Sequence, residues 1–208
     1  MANTSSDCSQ KPAPSQEAVV PMSSDSTKTW TTLSTRKGPD LNIFQARFDR
    51  VENPRNGVSL DALILEARDW VSVVAQKQNG RVILVEQFRF GSGRVSLETP
   101  AGVIEDDEAP LVAAQRELLE ETGYTANTWR DLGSVEANPA FMNNTCHLWL
   151  AENAVQTGSQ SLDAGEDILT VELTEAELKA AIETGRMRNA LGLLALARVF
   201  DLRPGDWR

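Results

Sequence analysis

The 208-residue chain predicts a mixed α/β or α+β sandwich, on three observations. Short extended runs broken by polar turns recur through most of its length. Three segments carry helical periodicity or helix-start signals instead. The apolar fraction, 41%, is enough for one packed core of ordinary domain size.

Taken in order, residues 1–28 are rich in Ser, Thr, Pro, Gln and Lys and nearly free of large apolar side chains. Such a segment buries too little surface to offset its ordering entropy, so a disordered tail is expected there. Residues 29–66 are expected to form an N-terminal sheet. Stretches 30–35, 42–51 and 59–66 read as extended, with turns such as Asn53 to Gly57 between them. The main domain is expected over 67–208. It opens with runs 70–76 and 81–87 around Asn79-Gly80, a strong hairpin signal. Val82, Ile83, Leu84 and Val85 are continuous and apolar, as in a strand covered on both faces. Residues 109–122 read as a helix, 129–137 and 145–151 as strands, and 153–164 as a polar loop. Thr174 followed by Glu177 forms a capping box that opens a helix over 174–184, and a last helix is expected over 187–200.

Bulk charge narrows the function. The formal net charge of -10 opposes binding to a phosphate backbone, so no nucleic-acid partner is expected. A small phosphorylated ligand stays compatible, because divalent cations neutralise such a contact locally. Cys8 and Cys146 fall in the tail and in a strand, which predicts no disulfide framework and fits a reducing cytoplasm. No apolar run approaches the roughly 20 residues of a membrane span, and the first residues contain no signal-peptide core.

The informative segment is 102–124. On a helical wheel, Leu111, Leu118, Leu119 and Thr122 gather on one side. Glu117, Glu120 and Glu121 fall roughly opposite, and Ala113 and Ala114 share the acidic side and leave space there. Glu117 and Glu121 are four apart, a spacing at which like charges destabilise a helix by roughly 0.2–0.5 kcal/mol. Acids near a helix C-terminus also oppose its macrodipole. A hard divalent cation removes that repulsion, and oxygen ligands of this kind suit Mg²⁺ or Mn²⁺. The plainer alternative is a solvated acidic face, with Arg116 paired to Glu120. Gly123 has the plainer reading of a helix C-terminal glycine, and Gly102 that of a turn.

Gly102, Glu108, Arg116, Glu117, Leu118, Glu120, Glu121 and Gly123 fall at the fixed positions of G-x5-E-x7-R-E-U-x-E-E-x-G-U, where U is bulky and apolar. The segment resembles the Nudix box, and the only mild departure is Tyr124 at the last position. The resemblance implies a Nudix-type α/β/α sandwich with a mixed central sheet and, ahead of it, an extra antiparallel sheet. It implies hydrolysis of a pyrophosphate bond in a nucleoside diphosphate derivative, with Mg²⁺, or Mn²⁺, as cofactor. Glu117 and Glu121 match the principal metal-binding carboxylates, and Glu120 a further carboxylate of the cluster. The carbonyl of Ala101 is a possible extra metal ligand in relatives of this kind. Arg116 resembles the residue that orients the glutamates, and Glu108 the one that anchors loop to helix.

The flanks are similar to ADP-ribose pyrophosphatases and related nucleotide-sugar hydrolases over about residues 42–200. Gln87-Phe88-Arg89 resembles their Gln-Tyr-Arg, and Glu98 to Gly102 their Glu-Leu-Pro-Ala-Gly. Pro139 lies 16 residues beyond Gly123, where members that cleave ADP-ribose carry proline. Arg89 is then a candidate phosphate contact, or else one half of an ion pair at a strand end. Glu98 is a candidate metal or substrate ligand, or a structural acid. Two departures bear on the substrate: Ala140 replaces the usual glycine after Pro139, and Ala164 stands where some relatives carry a glutamate. The resemblance makes Glu166 the candidate general base, with Asp163 or a box glutamate as alternatives. The leading sheet resembles one through which such enzymes form homodimers, and Trp30 is a candidate contact to the substrate base or to the partner subunit. His147, the only histidine, reads as structural. The alternatives carried forward are a hydrolase of dinucleoside polyphosphates or nucleoside triphosphates, and a Nudix-fold module that binds a nucleotide without cleaving it.

Overall fold

Hydrophobic alternation along the central strands decides which layer each side chain enters. The computed structural model describes residues 28–203, so the expected tail at 1–28 lies, but for its last residue, outside the described residues. Three strands come first: β1 (Thr31–Asp40), β2 (Gln45–Glu52) and β3 (Ser59–Glu66). They pair antiparallel in the order β1-β2-β3 as a sheet of their own. β1 runs five residues beyond the stretch read as extended, through Arg36, Lys37 and Gly38. Gly38 permits this, because a Cβ there would meet the Phe48 ring at 2.8 Å. Arg36 lies over that same ring, 4.0 Å from its centroid.

The main sheet runs β12-β5-β4-β10-β9, built from β4 (Trp70–Gln76), β5 (Val82–Arg89), β9 (Thr128–Glu136), β10 (Thr145–Glu152) and β12 (Ile168–Leu173). β4 and β10 are parallel and the other neighbours antiparallel, so the sheet is mixed, as expected. Val71, Val73 and Ala75 face one side with Ile83, against Ala113, Ala114 and Leu118 of α1 (Pro110–Thr122). Val74, Val82 and Leu84 face the other, against Leu178 and Ala181 of α2 (Glu175–Glu183) and Ala195 and Leu196 of α3 (Ala190–Ala197). This is period-two alternation sorting a run of apolar residues into two helical layers. The α/β/α sandwich expected from the sequence is the one observed.

One irregularity positions everything that follows. β4 and β5 pair only beside their turn, at Ala75–Ile83 and Gln76–Val82, and then part. Beyond that point β5 pairs with β6 (Arg94–Glu98), and β4 with β7 (Ala101–Val103). Thr99 and Pro100 cross the opening, held where Val73 N–H donates to the Pro100 carbonyl at 2.8 Å. Two short strands, β8 (Tyr124–Thr125) and β11 (Val155–Gln156), pair beside the end of α1. The sequence assigns no element to the stretches that form β6, β7, β8 and β12, and β11 falls within the expected polar loop 153–164. No helix among the described residues is long and apolar enough to cross a membrane.

Candidate functional site

Helix α1 starts at Pro110, whose fixed φ suits a first turn, and ends where Gly123 takes the left-handed conformation at φ 74°. Its buried residues are Ala113, Ala114, Glu117, Leu118, Glu121 and Thr122. On the helical wheel these form one continuous arc with Ala114 and Glu121 at its middle. This corrects the sequence reading of the helix. Leu119, expected on the apolar side, is 40% exposed, and the side carrying Glu117 and Glu121 is the one turned inward. Ala113 and Ala114 do not leave open space. They let the helix approach β4 and β5, and that approach carries the two carboxylates into the splayed part of the sheet.

There, Glu121 is 3% exposed and accepts the Ala101 N–H at 3.1 Å. Glu117 lies against Gly102, where a Cβ would collide with its carboxylate. Gly102 is therefore more than a turn residue: only hydrogen leaves room for the acid. Burial pushes Glu121 up to about 8, with the negative charges of Glu117 and Glu166 adding and the Ala101 amide and Arg89 opposing. Burial likewise raises Glu117, against the pull of Arg116. The pair thus resists full ionisation when no cation is near.

Arg116 organises the outer edge. Its guanidinium grips Glu108 through two bonds of 2.9 Å and also donates to Glu117 at 2.7 Å, Glu120 at 3.1 Å and the Val103 carbonyl at 3.0 Å. Arg116 thus pairs with Glu120 and also with Glu108 and Glu117. Glu108 accepts the Glu105 N–H at 3.0 Å, and the Arg116 charge holds it below the usual carboxylate range.

Glu98 and Arg89 form the opposite wall. Glu98, 2% exposed, accepts Nε and Nη2 of Arg89 at 2.9 and 2.8 Å and the Asn189 amide at 2.7 Å. The ion pair offered as one reading of Arg89 is thus present, and it is bidentate. Glu166 sits on an exposed loop, its carboxylate accepting the Asp163 N–H at 3.0 Å, within electrostatic reach of Glu117, Glu121 and Arg89. That loop is strapped to the end of α1. Ser161 N–H donates to the Glu120 carbonyl at 2.9 Å, and Gln160 bonds the carbonyls of both Glu121 and Ile168. Gly123 lets the strap pass, because a Cβ would strike the Gly158 carbonyl.

Two expected site residues, Pro139 and Trp30, lie apart from the cluster. Pro139 is exposed on the β9–β10 loop, whose bonds run to Leu65 and Ala67. Trp30 lies beside Asn53, Pro54 and Arg55, at the end of the N-terminal sheet farthest from Trp70. About seven residues of strand, roughly 23 Å, separate the two ends. His147 is partly buried, 3.6 Å from Asp69. Cys146 is a buried free thiol, and Cys8 lies outside the described residues.

Among the described residues, no three His, Cys, Asp or Glu side chains are gathered closely enough to hold a metal ion as they stand. The residues present nevertheless fit a divalent cation. The donors are hard oxygens, two of them on buried carboxylates that lack full compensation, and Gly102 keeps the space beside Glu117 clear. Asn189 and Gln160 were missed from sequence. Each acts on a partner far along the chain, and no local spacing marks it.

Comparison with known proteins shows the family and the fold. The model of the NUDIX domain matches residues 67–191. An ADP-ribose pyrophosphatase of Bacillus subtilis (strain 168) is 34% identical over 149 residues, covering 71% of this chain and 80% of that protein. A methanol dehydrogenase activator of Bacillus methanolicus is 30% identical over 166 residues, covering 79% and 89%. Among solved structures, one described as an ADP compounds hydrolase superposes with a TM-score of 0.74 at 23% identity, covering 85% of this chain and 95% of that one.

Proposed function

The chain belongs to the Nudix family and is a Nudix hydrolase, and from that premise we propose that it cleaves the pyrophosphate bond of ADP-ribose or a closely similar nucleotide sugar. The observation that carries this reading is the buried Glu117–Glu121 pair on a box helix, under-compensated until a cation arrives. Nudix hydrolases work with divalent metal ions, and Mg²⁺, with Mn²⁺ as substitute, suits this all-oxygen set. Glu117, Glu121 and Glu120 would hold the ions, with the Ala101 carbonyl as a further oxygen. Bound there, such ions would supply charge neutralisation for the diphosphate and would lower the pKa of a water.

The chain's own residues do the rest. Arg116 holds Glu117 and Glu120 in place. Glu166, free of any cationic partner within 4 Å among the described residues and within electrostatic reach of the cluster, accepts the proton of the attacking water; Asp163 or a box glutamate is the alternate base. Water oxygen bonds to phosphorus, the bridging P–O bond breaks, and the products are a nucleoside monophosphate and a sugar phosphate. Arg89 steadies the anionic substrate from the Glu98 wall, and Pro139 shapes the approach.

The N-terminal sheet supports a homodimer. Leu33, Leu60 and Leu63 in the sheet, with Ile43 in the turn between β1 and β2, are large, apolar and between 43% and 73% exposed, surface of the kind that a second copy covers. A second copy covering that sheet would carry Trp30 toward its partner's site. A cytoplasmic setting suits a free buried thiol and this substrate class.

The decisive experiment incubates purified protein with ADP-ribose, other ADP-sugars, GDP-sugars, NADH and dinucleoside polyphosphates, with Mg²⁺, Mn²⁺ or chelator. AMP and ribose 5-phosphate from ADP-ribose, abolished by chelator, are expected. No turnover of any compound with either ion would move the protein to the binding-module alternative.

A further inference from the structure

The hairpin that joins β5 to β6 breaks a rule of sheet design. Arg89 and Arg94 are directly opposed across the two strands, where like charges destabilise the pairing. The turn between them is well formed all the same. Ser92 and Gly93 N–H groups both donate to the Arg89 carbonyl, at 3.2 and 2.9 Å, and Gly93 supplies the left-handed residue at φ 65°.

A second segment brings more positive charge to the same place. Residues 185–188 are clamped onto β6 by a bridge between Leu97 and Met187, and Leu97 N–H donates to the Arg186 carbonyl at 3.3 Å. Arg188 folds back so that its Nε donates to the Gly185 carbonyl at 2.6 Å. Gly185 suits this, since its φ of 70° is left-handed and a Cβ there would lie 2.6 Å from Nη2 of Arg188. Arg89, Arg94, Arg186 and Arg188 therefore line one recess, together with Ser92 and Ser96.

Charge accounting leaves that recess positive. Arg89 is matched by Glu98 and Arg186 by Glu86. Arg94 and Arg188 have no carboxylate within 4 Å among the described residues. Two unmatched guanidiniums thus share one concave site on a chain whose net charge is -10. Diffuse solvation would be served as well by arginines spread along the surface. Here they are gathered, with two hydroxyls, by a glycine turn and a strand bridge.

We propose that this recess is a binding site for a phosphate monoester dianion, taken by Arg94 and Arg188 with Ser92 and Ser96 at its sides. Guanidinium forks match phosphate oxygens in pairs, and the Ser96 hydroxyl supplies a further donor, as does that of Ser92 on turning from the Arg89 carbonyl, to which it donates at 3.3 Å. Arg89 and Glu98 line the recess, and Arg89 is also within electrostatic reach of Glu121. A phosphate held here is either the end of a phosphorylated sugar or nucleoside, or free phosphate, and the chemistry of capture is the same.

The test needs neither metal nor turnover, so it fails or succeeds independently of the hydrolase reading. Inorganic phosphate is titrated calorimetrically into the full chain at about pH 8, where the dianion prevails, in chelator and low salt. Saturable binding near ~1 mM is expected. The double variant Arg94→Gln/Arg188→Gln should weaken it at least about tenfold, and Arg130→Gln, on exposed β9, should leave it unchanged. Ribose 5-phosphate and AMP should compete, and whichever binds more tightly than phosphate identifies the natural source. Should neither do so, free phosphate is the ligand. Absence of saturation, or equal binding by wild type and double variant, would overturn the proposal. Each single variant, checked by circular dichroism, separates loss of a contact from loss of the fold.

Discussion

Glu98 and Glu121 are buried to nearly the same depth in the splayed region of one sheet, at 2% and 3% exposure, yet their surroundings differ in kind. Glu98 is closed: a bidentate guanidinium and an amide occupy both of its oxygens. Glu121 is open: it has one backbone N–H, a second acid on the same helix face, and a raised pKa of about 8. A buried acid that arrives with its counter-charge is a structural member. One that arrives without it is a request for a cation from outside. Depth of burial alone does not separate the two; the partner list does.

The largest expected effect breaks the closed case. Glu98→Ala leaves Arg89 without its partner and Asn189 without its acceptor, at about 3 kcal/mol of stability. In a domain of this size that lowers the melting temperature by about 6–12 °C. A melting curve within 2 °C of wild type would show that Glu98 is not the structural half of the comparison.

The open case should respond oppositely. Glu121→Gln removes a charge that the apo fold holds poorly, so melting in chelator should stay level or rise. Turnover with Mg²⁺ should fall at least about tenfold, because the lost contact acts on the chemical step. A variant that melts early yet turns over normally would reverse the assignments of Glu98 and Glu121.

The same contrast explains what sequence could reveal. The box was legible because its residues lie within one short segment, and the fold class because alternation and capping signals are local. The Thr174 box formed as read, with Glu177 N–H donating to the Thr174 hydroxyl at 3.2 Å. The inward face of α1 was not legible. A wheel ranks side chains by polarity, and here the polar side is buried because the sheet opens beneath it. Nor was the short pairing of β6 and β7 readable, since β4 and β5 had to part first. The Asn189–Glu98 bond spans 91 residues, and no local pattern encodes it.

A third acid refines the comparison at its mild end. Glu172 lies on β12, less buried than the other two, and accepts the Tyr124 hydroxyl and Lys77 Nζ, the latter at 2.9 Å. These partners, Tyr124 foremost, hold it below the usual carboxylate range. They also give Tyr124, the one departure from the box pattern, a use that an aliphatic residue lacks. Tyr124→Phe deletes one bond and leaves Lys77 in place, so about 1 kcal/mol is expected. The sign with pH follows from the depressed pKa. The contribution is complete above the ordinary value of 4.5 and disappears as pH falls through the lower folded value. Urea melts of both proteins should therefore differ most at neutral pH and converge in acid. A gap that stays constant down to about pH 3 would mean that Tyr124 supports packing, with no part in keeping Glu172 charged.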